Sequence, residues 1–417
     1  MADERPGRTG SPRDGEHGRP RRRATGWVVA GGLAIAVGGA AAAVALGGDG
    51  GTAGTVPGAP ESTPAAPAPT AAAPSTATPS TAAEHEGMVT GAVWVANEEG
   101  ASLSVIDAGT NTVVTTVRGV EGPHNVQVSP DSASVWAVSG HDSLAVALDA
   151  RSLDLTRTVT TGGAPAHVVI SPDGRTAYTS DGADGTVTVI DTASGDVEAT
   201  IPVGAGPHGL RPSPDGRWLV VANVAGSTLS VVDTSTRTTV ADIEVGTGPG
   251  TGRLLPDGRF VYASVSAQDQ VVKVDMASRE VVGRVAVGDG PIQTYVSPDA
   301  RYLLSANQGT EAAPGTSLSV IDTRTFTVAG TVETGQGAHG VVVDPSGRHA
   351  YVTNLYADDV AVVDLDELAV VARVPVGDTP NGISFSSTPV PAQAPVTLDV
   401  PKGATEDGGG TGGHGGH

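Results

Sequence analysis

Gly206–Gly246 reads GPHGLRPSPDGRWLVVANVAGSTLSVVDTSTRTTVADIEVG, and this stretch decides the fold. It divides into four short runs rich in Val, Leu, Ile, Thr or an aromatic residue: His208–Ser213, Trp218–Asn223, Thr228–Asp233 and Thr239–Val245. Each is too short for a helix and suits a strand. Ser213-Pro214-Asp215-Gly216 joins the first two runs, with Pro presetting φ, Asp capping the turn and Gly accepting positive φ. One such antiparallel sheet cannot bury both of its faces, so it needs copies of itself as neighbours.

The copies are present. The Asp that closes the third run recurs as Asp107, Asp149, Asp191, Asp233, Asp275, Asp322 and Asp364, at intervals of 42, 42, 42, 42, 47 and 42 residues. Four strands per unit at this period specify an all-β, seven-bladed β-propeller. The first unit holds only three strands, Val93–Asn97, Leu103–Asp107 and Val113–Val117, and the last repeat leaves one over, Asn381–Ser386. Three plus one completes a blade, so the C-terminal strand is expected to join the N-terminal three and close the ring.

Columns filled in most repeats belong to the scaffold. The seven Asp residues should accept local backbone N–H groups in Asx turns. Trp94, Trp136, Tyr178, Tyr262 and Tyr351 should pack between blades, while Asn97, Asp181, Asn223, Asn307 and Asn354 should satisfy loop backbone. Pro212 stands inside a first strand, which marks that strand as an edge facing the central channel. The interval of 47 places an enlarged loop at Asn307–Ser317, with Glu311 its only acid.

These motifs resemble the YVTN-repeat, YncE-like seven-bladed β-propellers of surface-layer and periplasmic proteins. The tetrapeptide stands here as Tyr351-Val352-Thr353-Asn354, the SPDG turns at 171–174 and 213–216, and the SVID or SVVD strands at 104–107, 230–233 and 319–322. The resemblance covers Val89–Ser386 and implies the fold. Related propellers bind haem, metals or lyase substrates, so it implies no single function.

The rest of the chain organises around this domain, set at 88–387. Residues 1–25 carry seven Arg and four acids, and the remainder carries 17 basic and 41 acidic residues, a net of −24. So acidic a body argues against nucleic acid as a partner. Gly26–Gly48 is an uncharged run of 23 residues behind Arg21-Arg22-Arg23. It is long enough to span a bilayer, and the positive-inside rule leaves residues 1–25 in the cytoplasm and the propeller outside. The alternative is a cleaved signal segment and a secreted protein. Residues 49–87 are Pro/Ala/Thr-rich and read as a disordered stalk, and 388–417 as a disordered Gly/His tail ending in His414 and His417. Cysteine is absent, which excludes disulfides, iron–sulfur clusters and Cys nucleophiles. No GxSxG, HExxH or Walker A motif stands in the domain.

The informative breaks in the repeat are histidines. The column leading into the first strands reads His124, Ala166, His208, Gly250, Ile292, His339 and Asn381, with His167 one place further on. His141, beside Asp142, lies in a loop between second and third strands on the same face, whereas His349 lies on a second strand. The expected ligand-binding mouth is therefore His124, His208, His339, His167, His141 and Asn381. His124, His208 and His339 sit on blades about 51° apart or multiples of it, spread around the axis. If the channel is narrow they form a metal site for Cu or Zn, and a single His would suffice as an axial haem ligand. The first functional reading is a membrane-tethered module binding a small ligand or cell-envelope protein at this mouth. The second is a redox protein or a metal-dependent lyase using the same histidines.

Overall fold

In a computed structural model, residues 89–402 are described, and they form seven sheets arranged as blades, each built on four antiparallel strands. Each sheet is a meander whose first strand is innermost and whose fourth is outermost. Burial follows: second and third strands are covered on both faces, whereas fourth strands such as Val197–Pro202 alternate exposed and covered positions. The regions at 1–25, 26–48 and 49–87 lie outside the described residues, and so does the tail beyond residue 402. Among the described residues no helix is long and apolar enough to cross a membrane.

The ring closes as the repeat arithmetic requires. Pro380–Ser386 pairs antiparallel with Ala92–Asn97, with Trp94 opposite Ser384, so one blade joins the two ends of the domain. The boundary expected after Ser387 moves outward, however. Val396–Thr397 adds a fifth, parallel strand against Val117–Arg118, and Val390 and Leu398 are buried in the core beneath it. Residues 388–402 are thus an ordered strap whose few apolar side chains are enough to seat it.

No single central core exists. Buried side chains fall into seven clusters, each shared by two neighbouring blades, including one between the last blade and the first. The aromatic column serves these layers as expected: Trp94, Trp136, Tyr262 and Tyr351 are among the largest fully buried side chains. Each fully buried large apolar residue contributes on the order of 1.5–3 kcal/mol, so stability is distributed around the ring.

Local hydrogen bonds explain the turn columns. Asp233 Oδ1 accepts the backbone N–H groups of Ser235 and Thr236, and Asp107, Asp149, Asp191, Asp275, Asp322 and Asp364 make equivalent Asx contacts. In the SPDG turn, Ser213 Oγ donates to Asp215 Oδ1 at 2.5 Å while Gly216 adopts φ 72°.

The Asn column behaves differently from its expected role. Asn97 Nδ2 donates to Ser102 and Ser104, Asn223 Nδ2 to Thr228 and Ser230, and Asn307 Nδ2 to Ser317 and Ser319, all hydroxyls of the adjoining third strand. Only Asn354 reaches loop backbone, at Thr334 O. At Asp181 the polarity reverses, and its carboxylate accepts from Thr179, Thr186 and Thr188. The column is a cross-strand polar bolt.

The long interval in blade 6 is a second departure. Tyr302–Thr310 and Ala313–Asp322 continue as paired strands, with Gly309 opposite Pro314 and Thr310 opposite Ala313. The expected loop is a hairpin arm. Gly315 permits its tight base, because a Cβ there would stand 2.2 Å from Asn307 O.

Candidate functional site

The innermost strands run from the inlet residues to the SPDG turns. They pair on one side only, Pro207–Pro212 with Trp218–Asn223 for example, so their other edges face the axis. Pro212 closes such a strand, as its missing N–H requires.

Four imidazoles meet at the inlet end. His124 lies 4.9 Å from His208, 5.5 Å from His167 and 5.8 Å from His339 between ring centroids, and His167 lies 4.6 Å from His208. All four are buried. Ring nitrogens of His124, His167 and His208 lie within 4.8 Å of one another. Around one tetrahedral ion with bonds of about 2.0–2.1 Å, nitrogens stand roughly 3.4 Å apart, so modest ring rotations separate this arrangement from a closed site.

The backbone that aims these rings is set by hydroxyl straps between blades. Ser180 Oγ accepts the His167 N–H at 3.1 Å and donates to the His208 carbonyl. Ser264 links Thr251 N to Ile292 O, and Thr353 links Gly340 N to Asn381 O, in the same way two and four blades onward. The inlet strand of blade 3 also carries an irregularity between Pro165 and His167. Comparable shifts open the inlet strands of the blades that follow, so the irregularity belongs to the repeat, and His167 joins the cluster from the position after the column of His208.

The electrostatics keep the rings of His167, His208 and His339 neutral. Burial, then the charge of His124, lowers His208 to about 3, against a smaller opposing effect from its hydrogen bond to Gly250 O. That bond, 3.1 Å from Nδ1 to a carbonyl that only accepts, fixes the proton on Nδ1 and leaves a lone pair on Nε2. Burial and the neighbouring imidazoles also hold His167 and His339 well below the ordinary histidine value. His124 Nδ1 and both nitrogens of His167 find no hydrogen-bond partner among the described residues. Buried polar atoms in a folded protein are nearly always paired, so three orphaned nitrogens in one cluster point to a ligand.

The sequence-derived set is therefore reordered. His124 and His208 join as expected, His167 completes the trio in place of His339, and His339 sits beside His124, its Nδ1 3.4 Å from Gln293 Nε2. His141 is exposed and packs over Gly122, while Asp142 accepts from Ser139 Oγ; neither enters the cluster. Asn381 Nδ2 donates to Glu98 Oε2 at 2.8 Å. His349 pairs with the buried Asp344 at 3.0 Å, and the Asp344 carboxyl lies below its usual range: burial raises it, but hydrogen bonds from His349 and Ser346 prevail.

The far end of the channel carries a second set of residues that sequence columns did not single out. A cavity of about 500 Å³ is lined there by Arg211, Arg253, Tyr295 and Gln127 and by the prolines of successive turns. One signal was available: Arg211 and Arg253 occupy a first-strand column otherwise filled by Gln127, Val169, Tyr295, Val342 and Ser384.

A family model described as YNCE-like beta-propeller matches residues 132–391, more than half of the chain. No curated protein sequence matches the chain. Among solved structures, hydrazine synthase of Kuenenia stuttgartiensis aligns at 23% identity and TM-score 0.59, covering 64% of this chain and 90% of its own. A functionally unknown protein from Desulfotomaculum acetoxidans aligns at 15% identity and TM-score 0.62, covering 72% of this chain and 100% of its own. The dihydro-heme d1 dehydrogenase NirN aligns at 17% identity and TM-score 0.55, covering 73% and 77%. Identities this low are evidence of a shared propeller fold alone.

Proposed function

The chain belongs to the YNCE-like β-propeller family, and on that fold we propose that it is a metal-binding module whose channel inlet holds one transition-metal ion through His124, His167 and His208. The observation that supports this most is the convergence of three buried imidazoles whose ring nitrogens are largely unpartnered. Neutral imidazole donors without thiolate or carboxylate suit Cu or Zn and disfavour Ca and Mg. Three protein ligands would leave room on such an ion for one further ligand, and His339 stands beside His124. When bound, the ion supplies a Lewis-acidic centre for a small ligand entering the mouth. The chain's own part is to keep His167 and His208 deprotonated by burial and to fix the His208 tautomer through Gly250.

This placement favours a bare ion over haem. The imidazole centroids lie only 4.6–5.8 Å apart, so the rings occupy the axis where a macrocycle would lie. The lyase reading finds no His–carboxylate pair in the cluster, since His141 and its sequence neighbour Asp142 both stand apart from it. The apolar run at 26–48 behind its Arg cluster supports a single-pass anchor with the propeller held outside the membrane, where exogenous metal or a cell-envelope partner is accessible.

Metal analysis of the full chain tests this reading. After chelation and titration with Cu(II) or Zn(II), one equivalent should bind and raise the melting temperature. That equivalent should disappear in His167→Ala and in His208→Ala but persist when His414 and His417 of the tail are replaced. Binding that follows the tail residues alone, or a haem absorbance in the purified protein, would refute it.

A further inference from the structure

We propose that the opposite end of the channel is an oxyanion site, in which Arg211 and Arg253 together hold a small dianion of the phosphate or dicarboxylate class with Tyr295 at its edge. The cavity there, about 500 Å³, accommodates such a ligand with its water. Both guanidiniums are half-buried, and neither takes part in any of the ion pairs found among the described residues. Arg211 spends one Nη1 hydrogen on Leu210 O at 2.9 Å, and Arg253 lies 4.1 Å over the Tyr295 ring. Most of their N–H donors thus remain available, and planar guanidinium forks match the geometry of carboxylate and phosphate oxygens.

Charge argues the same way. The chain carries a net charge of −21, yet two cations adjoin at this cavity with no carboxylate among its lining residues. Burial, then the adjoining Arg253, draws the Arg211 guanidinium down to about 9, with Tyr295 opposing. A bound anion relieves that repulsion and replaces the water lost from both groups. The Ser213 and Ser297 hydroxyls at the rim are committed to Asp215 and Asp299 in their own turns, so recognition falls to the arginines. The walls are largely proline and aliphatic, which limits the ligand to a compact ion.

The test is calorimetric titration of the full chain with inorganic phosphate and, separately, with malonate. Binding of either ion supports the site, and the tighter of the two identifies the class. Arg211→Gln and Arg253→Gln should each weaken binding by about tenfold or more, the range set by loss of a charge-assisted contact. Arg253→Lys should weaken it less, since charge survives without the fork. His141→Ala, exposed at the other end of the channel and outside the imidazole cluster, should leave anion affinity unchanged. Circular dichroism of each variant confirms that the ring is intact. No heat with either ion, or equal affinity in wild type and the two Gln variants, would overturn the proposal.

Discussion

Lowering the pH of metal-free protein from 7 to 5 should destabilise it through the buried imidazoles. His208 titrates near 6.5 when unfolded and near 3 in the propeller. Between those values the unfolded chain binds the proton that the folded chain refuses, so stability falls as pH falls. At pH 5 the chain stands 1.5 units below the unfolded value of 6.5, which at about 1.36 kcal/mol per unit costs about 2 kcal/mol for His208 alone. This figure changes little wherever the folded value lies below about 4, because the unfolded state sets it. His167 and His339, lowered for the same reason, add in the same direction. The turn carboxylates do not blur the window, since hydrogen bonds hold Asp191, Asp215 and Asp233 below 3.8. Urea melts at half-unit steps between pH 5 and 7 would read the effect as a falling midpoint at constant slope. In His208→Gln the pH dependence should shrink by about 2 kcal/mol, one histidine's share. A wild-type midpoint that is flat across this range, or a variant with the full wild-type dependence, would refute the claim that His167, His208 and His339 are held neutral.

Two further predictions concern the scaffold. Burial raises the Asp181 carboxyl above 3.8, so its charge weighs against the fold as pH rises through the folded value, and Asp181→Asn should stabilise by about 1 kcal/mol at pH 7. The hydroxyls of Thr186 and Thr188 can turn to accept from the new amide as Thr228 and Ser230 do from Asn223, and the gain should vanish near pH 4; a melting temperature lower than wild type at pH 7 would count against it. Leu398→Ala on the strap should cost roughly 2 kcal/mol in a denaturant melt with a single transition, whereas truncation after Gly377 should abolish that transition altogether.

The periodic features were legible because they repeat. Seven Asp residues at near-constant spacing state the blade number, Pro212 states the free edge, and three strands against one state the closure. What repeats cannot state is the radius of the channel, which decides whether histidines on separate blades touch. That radius comes from the packing of all seven sheets and brings His124 and His208 to 4.9 Å. His167 was legible as a mouth residue but not as a member of the metal trio, because it stands one place after the column of His124 and His208, where the other blades carry Asn125, Gly209, Thr251, Gln293, Gly340 and Gly382. The strap was hidden by its composition, since four apolar contacts in a proline-rich stretch leave no strand periodicity. The arginine pair was hidden by position, because its column had no role until the cavity beneath it was seen.

The blade that joins both ends of the domain also fixes an order of events. Trp94 finds its partner Ser384 only after six other blades' worth of chain has been made. The other sheets are built from neighbours in sequence and can pair as they emerge, so most contacts are local and quick to form. The first blade must wait with one long edge bare, exposing Ala92–Asn97 to foreign strands for the whole of synthesis. The last strand is thus a timing element: until residue 386 arrives, the protein is an open arc, and no inlet exists for His124 to share with His339.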